Sequence, residues 1–312
     1  MSVALLAVGI VLLVTPGFVA RWLRRLPPRD WAGLVTASLV GGLTVLEAAL
    51  VTLGAPTVLR SAGWSGLARA CDRMFRSVAI GGPAVGWLAA LAAVGLAFAV
   101  AWGSARAVRL HRRARVEPWL GEHHQRDDYE IVLLPTAEPV AYSLGGRRPQ
   151  VVLSVGLTRA LTEDQLAAVV RHEQAHLRHR HGRRLVLAAA IDRTVGVVPM
   201  VRASTSSLRT ALERWADEDA SGSDTEARSC LRDALMAAAH AAVAPELAAF
   251  GGAQVALDRA AALALPAPSV SVVARTLTWV ALAGVWLVGL SALGLWISRT
   301  RSVLAMAGYC VS

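Results

Sequence analysis

The chain has 312 residues, of which 55% are hydrophobic and only 17% are charged, which excludes a typical soluble enzyme and favours a membrane protein. Its 32 basic residues, all arginine, outnumber the 22 acidic residues and give a net charge of +10. Much of this arginine flanks apolar stretches, so we expect it to contact anionic lipid headgroups and expect no direct binding of nucleic acid. Three scattered cysteines are too few for a zinc knuckle or a disulfide framework, so a bound metal needs histidine and carboxylate ligands.

Four stretches are long and apolar enough to cross a bilayer as helices, which takes about 20 residues. They cover residues 3–20, 31–54, 80–103 and 276–298. The first lacks the basic start and the small-residue cleavage site of a signal peptide, so we predict a retained anchor. The spans predict a three-helix transmembrane region over 1–103, a polar domain over 104–275, and a fourth span with a short outer tail over 276–312.

Arginine is unevenly distributed between the two sides of these spans. Ten arginines lie after the first span, after the third and just before the fourth, against six on the other side. The positive-inside rule then predicts a multi-pass protein of the cytoplasmic membrane, with the N-terminus outside and residues 104–275 in the cytoplasm. In this topology Cys71 and Cys310 face the same oxidising compartment, either as a disulfide or as two unrelated, partly buried cysteines.

The polar domain alternates short strand patterns and helix patterns. Residues 131–134 and 151–154 are strand-like, and residues 140–155 predict a hairpin around a Gly-Gly turn. A helix begins at Thr162, where Gln165 completes a capping box, and further helices are predicted over 204–220 and 231–264. We identify no chemistry in the last of these. Residues 185–201 are apolar and either dip into the membrane or form core.

The helix that begins at Thr162 carries the segment His-Glu-Gln-Ala-His. His172 and His176 are four residues apart, so both imidazoles leave one face and can bind one Zn²⁺ ion. Glu173 lies beside them, where a carboxylate can take a proton from water and pass it to a leaving amine. The alternative is a surface helix that is rich in histidine and arginine. His179 and His181 we interpret as a basic face at headgroup level rather than as further ligands.

A third ligand is expected from another part of the chain, with the fourth position left for water. The segment 213–220 offers Glu213 as that ligand. Asp217 lies four residues further on the same helix face and would hold a ligand imidazole in the right tautomer. Glu218 and Asp219 are rival choices, and an ordinary solvated acidic helix end is the alternative for all of them.

These two motifs resemble those of gluzincin membrane peptidases, in which a His-Glu-x-x-His helix is followed by a helix bearing Glu-x-x-Ala-Asp. Glu213, Ala216 and Asp217 match the second motif. The resemblance covers residues 80–265 well and the early spans by layout only. It implies a mainly α integral membrane protein with four transmembrane helices, and a cytoplasmic α+β zinc metallopeptidase domain over 104–275.

Two branches share these motifs: the BlaR/MecR antirepressor peptidases, and the HtpX and CAAX-prenyl peptidases. Three predicted spans before the zinc domain and one after it resemble the BlaR/MecR layout. This implies a Zn²⁺-dependent endopeptidase that cleaves a protein substrate, a repressor of the BlaI type, in response to an envelope signal. A quality-control peptidase of the HtpX type and a non-catalytic membrane receptor or scaffold are the alternatives.

The resemblance also implies that an edge strand before the zinc helix aligns the substrate backbone. Here that strand would comprise Val140, Ala141, Tyr142, Ser143 and Leu144. About fourteen residues follow the last predicted span, so we expect the outer penicillin-binding sensor of the antibiotic receptors to be absent. In many relatives the position five residues after the second zinc histidine is Asp, whereas here it is His181.

Overall fold

A computed structural model describes residues 2–75, 82–113, 121–241 and 252–267, together with single residues between 273 and 301. The described part is mostly helical, with one small sheet. The first helices are α1 (Ser2–Phe18), α2 (Ala20–Leu23), α3 (Pro28–Ser61), α4 (Ser65–Phe75) and α5 (Gly82–Arg113). Next come the strands β1 (Glu122–Gln125), β2 (Glu130–Leu134), β3 (Ala141–Leu144) and β4 (Gln150–Ser154). The remaining helices are α6 (Val155–Ala160), α7 (Glu163–Arg178), α8 (His181–Thr194), α9 (Pro199–Ser221), α10 (Thr225–Ala241) and α11 (Gly252–Leu263).

Two of the described helices are long and apolar enough to cross a membrane, and they indicate membrane association. They are Pro28–Ser61 and Gly82–Leu110, which contain most of the second and third predicted spans. Helix α1 covers most of the first predicted span and is apolar but shorter. The fourth predicted span, residues 276–298, falls on a region of which only single, helical residues are described, so the four-span layout stays a prediction.

The long helices approach one another closely at glycines. A Cβ atom on Gly42 of α3 would lie 2.7 Å from Cγ of Leu13 in α1. A Cβ atom on Gly54 of α3 would lie 2.6 Å from the backbone nitrogen of Ala90 in α5. Small residues at such contacts let apolar helices pack backbone to backbone, as is common within membranes.

The sheet has four strands in the order β1-β2-β4-β3. Strands β3 and β4 pair antiparallel, as the predicted hairpin requires, whereas β2 pairs parallel to β4. Strand β1 pairs antiparallel to β2 and lies in a stretch that was predicted only as polar. Among the described strands β3 pairs with β4 alone, and its other edge faces α7.

Helices α8 and α9 form a hairpin that packs against α1 and α3 in one hydrophobic core. Ile191 of α8 and Leu208 of α9 are buried in this core with Trp31 of α3. The indole Nε1 of Trp31 donates a hydrogen bond of 2.9 Å to Oγ of Ser207, and Ser204 Oγ donates one to the Leu13 carbonyl. The apolar segment 185–201 therefore contributes Ala188, Ile191 and Val201 to the core, whereas Val197 at the tip of the hairpin is 82% exposed, so entry of this tip into the membrane stays a prediction.

Candidate metal centre

Helix α7 begins with the capping box that the sequence predicts. This box sets where the helix starts, and so determines which face the motif residues occupy. The Thr162 hydroxyl accepts a hydrogen bond from the Gln165 backbone, and the Gln165 side chain accepts one from the Thr162 backbone. Three turns later, one face of α7 presents His172 and His176, whose Nε2 atoms are 3.1 Å apart. Both side chains are almost completely buried.

Helix α9 crosses α7 and brings Glu213 to this pair of imidazoles. One carboxylate oxygen lies 3.5 Å from Nε2 of His172, and the other lies 3.6 Å from Nε2 of His176. A tetrahedral zinc ion with bonds of about 2.1 Å holds its ligand atoms about 3.4 Å apart. The separations among these three side chains therefore fit a zinc ion, and two imidazoles with one carboxylate are a donor set that zinc favours.

Asp217, one turn after Glu213 on α9, orients the first imidazole. Its Oδ1 lies 3.0 Å from Nδ1 of His172, so His172 donates from Nδ1 and directs Nε2 towards Glu213. Burial lowers the pKa of His172, but the contacts with Asp217 and Glu213 outweigh burial and raise this pKa to about 9. Asp217 and Glu213 therefore stabilise positive charge beside His172, where a metal cation would bind.

His181 orients the second imidazole, which the sequence did not predict. Its Nδ1 lies 3.0 Å from Nδ1 of His176, and its side chain is fully buried against Trp215. Burial, together with His176 and His179, lowers the pKa of His181 to about 3, so this ring is neutral and its Nδ1 can accept a hydrogen bond from the Nδ1–H of His176. The interpretation of His181 as part of a basic surface face is wrong, because the turn before α8 folds it inward.

Arg259 of α11 binds both carboxylates of the centre. Its guanidinium donates from Nε and Nη2 to the two oxygens of Asp217, at 2.9 and 2.7 Å, and its Nη1 lies 3.0 Å from Glu213. Burial raises the pKa values of Glu213 and Asp217, but Arg259 outweighs burial and holds both below their usual range. The prediction that residues 231–264 contain no functional side chain is therefore wrong for Arg259. Little in the sequence indicates this residue, because Arg259 stands out only as part of an Asp-Arg pair within an Ala-rich helix.

The rival carboxylates on α9 have other partners. Glu218 pairs with the buried guanidinium of Arg228 at 2.6 Å, and Asp219 pairs with Arg178 at 2.6 Å and with His179 at 3.2 Å. His179 also stacks on Trp215. The structure therefore brings Glu213 and Asp217, but neither Glu218 nor Asp219, to the two histidines of the motif.

A cavity of about 370 Å³, here called the site cavity, opens in front of these residues. Glu173, which is only 8% exposed, lines it together with His172, His176 and Glu213. Ala141, Tyr142 and Ser143 of β3 form the facing wall, whereas Leu144 is buried. Val140 lies just before β3, and its backbone exchanges hydrogen bonds with Ser154. A chain segment along the β3 edge would therefore pass the motif residues.

The predicted disulfide would join Cys71 to Cys310, and only the first of these cysteines is described. Cys71 is buried in α4, beyond the outer end of α3 in the predicted topology. Cys310 lies outside the described residues, so the disulfide stays a prediction.

Comparison with known families and structures gives one match. The sequence model of Peptidase family M48 matches residues 110–305, which is more than half of the chain and includes every residue of the centre described above. No solved structure matches the chain.

Proposed function

Because the chain belongs to peptidase family M48, and is therefore a zinc-dependent metallopeptidase, we propose that His172, His176 and Glu213 bind the zinc ion. The observation that carries this assignment is the spacing of 3.1 to 3.6 Å among their donor atoms. Three protein ligands leave a fourth position for water or substrate, as in other catalytic zinc sites.

When bound there, zinc supplies a Lewis acid that polarises the scissile carbonyl and makes water more acidic. Glu173, on the wall of the same cavity, takes a proton from the attacking water and delivers it to the leaving amine. Asp217 and His181 keep the two imidazoles in the tautomers that leave each Nε2 free. Arg259 holds Asp217 and Glu213 in place and keeps both ionised.

The substrate is an extended polypeptide that adds to β3. The edge of β3 that faces away from β4 lies beside α7, and the cavity between them is lined by Ala141, Tyr142 and Ser143. Backbone hydrogen bonds to an edge strand bind a peptide without regard to its side chains, and the pockets beside the strand select among sequences. Such a site suits an endopeptidase.

The biological role that we propose for this peptidase is regulatory: it cleaves a cytoplasmic repressor of the BlaI type after an envelope signal. Supporting it are the two described membrane helices before the metal centre, the apolar α1, and the arginine-rich ends that predict a cytoplasmic site. A quality-control peptidase of the HtpX type would use the same centre. A non-catalytic scaffold would not need His172, Glu173, His176 and Glu213 together.

Replacement of Glu173 tests the mechanism directly. We expect Glu173→Gln to retain zinc and to lose a factor of about 10² to 10⁴ in peptide cleavage, because the proton carrier is gone while the ligands remain. Glu163→Gln makes the same chemical change at the exposed start of α7 and should cleave at the wild-type rate. Equal cleavage by Glu173→Gln and wild type would refute the assignment of Glu173.

The regulatory and quality-control functions differ in their substrates. Cells that carry wild type or Glu173→Gln can be compared for new protein termini after envelope stress and after heat. Cleavage of one winged-helix repressor, dependent on Glu173, supports the regulatory function. Accumulation of damaged membrane proteins in the Glu173→Gln cells, with repressors uncleaved in the wild-type cells as well, supports the quality-control function instead.

A further inference from the structure

A second cavity adjoins the site cavity along the edge of β3 that faces away from β4. Its volume is about 690 Å³, and the two cavities share Ser143 and His176. Its walls come from the β3–β4 turn, the α7–α8 turn, the first part of α8 and Val108 of α5. A polypeptide that pairs with β3 therefore extends through both cavities.

Three arginines line this second cavity, here called the basic cavity. Arg147 lies in the β3–β4 turn, Arg180 lies between α7 and α8, and Arg183 lies in α8. All three side chains are exposed, and within the described part of the chain none of them forms an ion pair or a hydrogen bond. No Asp or Glu is among the described lining residues. Because guanidinium groups stay charged, this cavity is strongly positive.

The site cavity has a different chemistry beyond its polar centre. Its far wall is formed by aliphatic side chains, namely Leu157, Val169, Leu231, Ala234, Leu235 and Ala238. The two cavities along one strand edge therefore favour two kinds of substrate side chain, an apolar one in the site cavity and an acidic one in the basic cavity.

The position of Glu173 gives the direction of the chain through these cavities. Glu173 lines the site cavity but not the basic cavity. In the proposed function Glu173 protonates the leaving amine, so the residue that supplies this amine occupies the site cavity. Residues before the scissile bond then occupy the basic cavity. The substrate consequently runs antiparallel to β3, whose start borders the site cavity and whose end leads to Arg147.

We infer that the enzyme selects polypeptides with an acidic residue shortly before the scissile bond and an aliphatic residue directly after it. This inference rests on the proposed function. Arg147, Arg180 and Arg183 are the specificity-determining residues for the acidic side chain. They come from three separate segments and converge on a cavity that includes His176, which favours a substrate over an anionic lipid headgroup as the occupant.

Paired peptides test this specificity with the zinc-loaded, full-length enzyme in neutral detergent. Each peptide carries Leu after the scissile bond and either Glu or its uncharged isostere Gln at one of the positions before it. We expect kcat/KM to favour the Glu peptide by about tenfold at low salt, as one charge-assisted hydrogen bond in an open cavity would give. The preference should vanish near 1 M salt, where the screening length is about 3 Å.

Variants assign the preference to the basic cavity. The double variant Arg147→Gln/Arg183→Gln should lose most of the preference for the Glu peptide, because two of the three charges of the basic cavity are gone. Arg180 is kept, because it directly precedes His181, whose ring holds the imidazole of His176, and a substitution there would act on the metal centre as well as on the cavity. Arg159→Gln removes one charge from an exposed site outside both cavities and should leave the preference unchanged.

Equal cleavage of the Glu and Gln peptides by wild type would overturn this inference alone. Cleavage of neither peptide would overturn the proposed function and the inference with it. Vesicles with and without phosphatidylglycerol identify the headgroup alternative. If these vesicles activate wild type but not the double variant, while Glu and Gln peptides are cleaved equally, the basic cavity binds lipid and the inference is wrong.

Discussion

At the scale of single residues, Arg259 is not a ligand but should affect zinc affinity. Its guanidinium bridges Asp217 and Glu213, so its removal leaves a buried and a half-buried carboxylate without their shared cation. We expect Arg259→Gln to weaken zinc affinity about 10- to 100-fold and to lower thermal stability. Arg259→Lys retains the charge without the planar fork and should fall between Gln and wild type. Competition with a chelator measures the affinity.

A matched control separates the metal centre from general stability. The side chain of Arg228 is 4% exposed, against 14% for Arg259, and it pairs with Glu218 of α9 rather than with a residue of the metal centre. Arg228→Gln should lose stability, yet its folded fraction should bind zinc as wild type does. Equal losses of zinc affinity in the Arg228 and Arg259 variants would contradict a specific role for Arg259.

His181 gives a second prediction at this scale. His181→Phe keeps the ring against Trp215 but removes the acceptor for Nδ1 of His176. We expect zinc affinity to fall about 10-fold or more with no change in fold, as for other partners of zinc-binding imidazoles. His181→Asp restores an acceptor and should recover most of the affinity. His124→Phe, in the exposed part of β1, is the control and should have no effect.

Residues that act locally could be predicted from the sequence, and residues brought in from a distance could not. Spacings of four along one helix place His172 with His176 and Glu213 with Asp217, because the helical repeat alone puts both members of each pair on one face. Arg259 lies 42 residues beyond Asp217. It reaches the centre only because α11 packs against α9, and neither composition nor spacing encodes that packing.

At the scale of elements, α3 packs closely against α5 at one of its glycines but not at another, so replacing the two glycines should affect stability differently. A Cβ on Gly54 would lie 2.6 Å from the Ala90 backbone, whereas a Cβ on Gly33 meets nothing within 4 Å. We expect Gly54→Ala to destabilise by about 1 to 3 kcal/mol through overpacking. Gly33→Ala should be neutral or slightly stabilising, because alanine favours the helix. Thermal unfolding in detergent compares the two, and equal Tm values would refute the packing.

Elements with a strong local signal were predicted closely. The capping box at Thr162 and the hairpin over 140–155 both appear, because hydrogen bonds within a few residues form them. The parallel pairing of β2 with β4 and the short strand β1 were not predicted. Both depend on pairing between separate segments, and the run Glu-His-His-Gln of β1 carries no apolar alternation.

At the scale of the whole molecule, helix α9, which carries Glu213, shares one core with the apolar helices α1 and α3. Leu208 and Leu212 of α9 are buried against Trp31 and Val35 of α3. Both leucines lie within two turns of Glu213 on the same helix. The predicted boundary at residue 103 therefore separates sequence regions whose side chains pack together. Displacement of α1 or α3 would be transmitted to Glu213 through α9, because packed helices shift as rigid units.

The orientation of this assembly can be tested by cysteine labelling in intact cells. With Cys71, Cys230 and Cys310 replaced by Ala, Ser65→Cys places a thiol at the exposed start of α4, and Arg159→Cys places one on the catalytic domain. The arginine asymmetry across the spans predicts that a membrane-impermeant maleimide labels Ser65→Cys in intact cells and Arg159→Cys only after lysis. Each variant should retain Glu173-dependent cleavage, which shows that the labelled protein is folded. The reverse labelling pattern would place the metal centre outside the cytoplasm, and a cytoplasmic repressor could then not be its substrate.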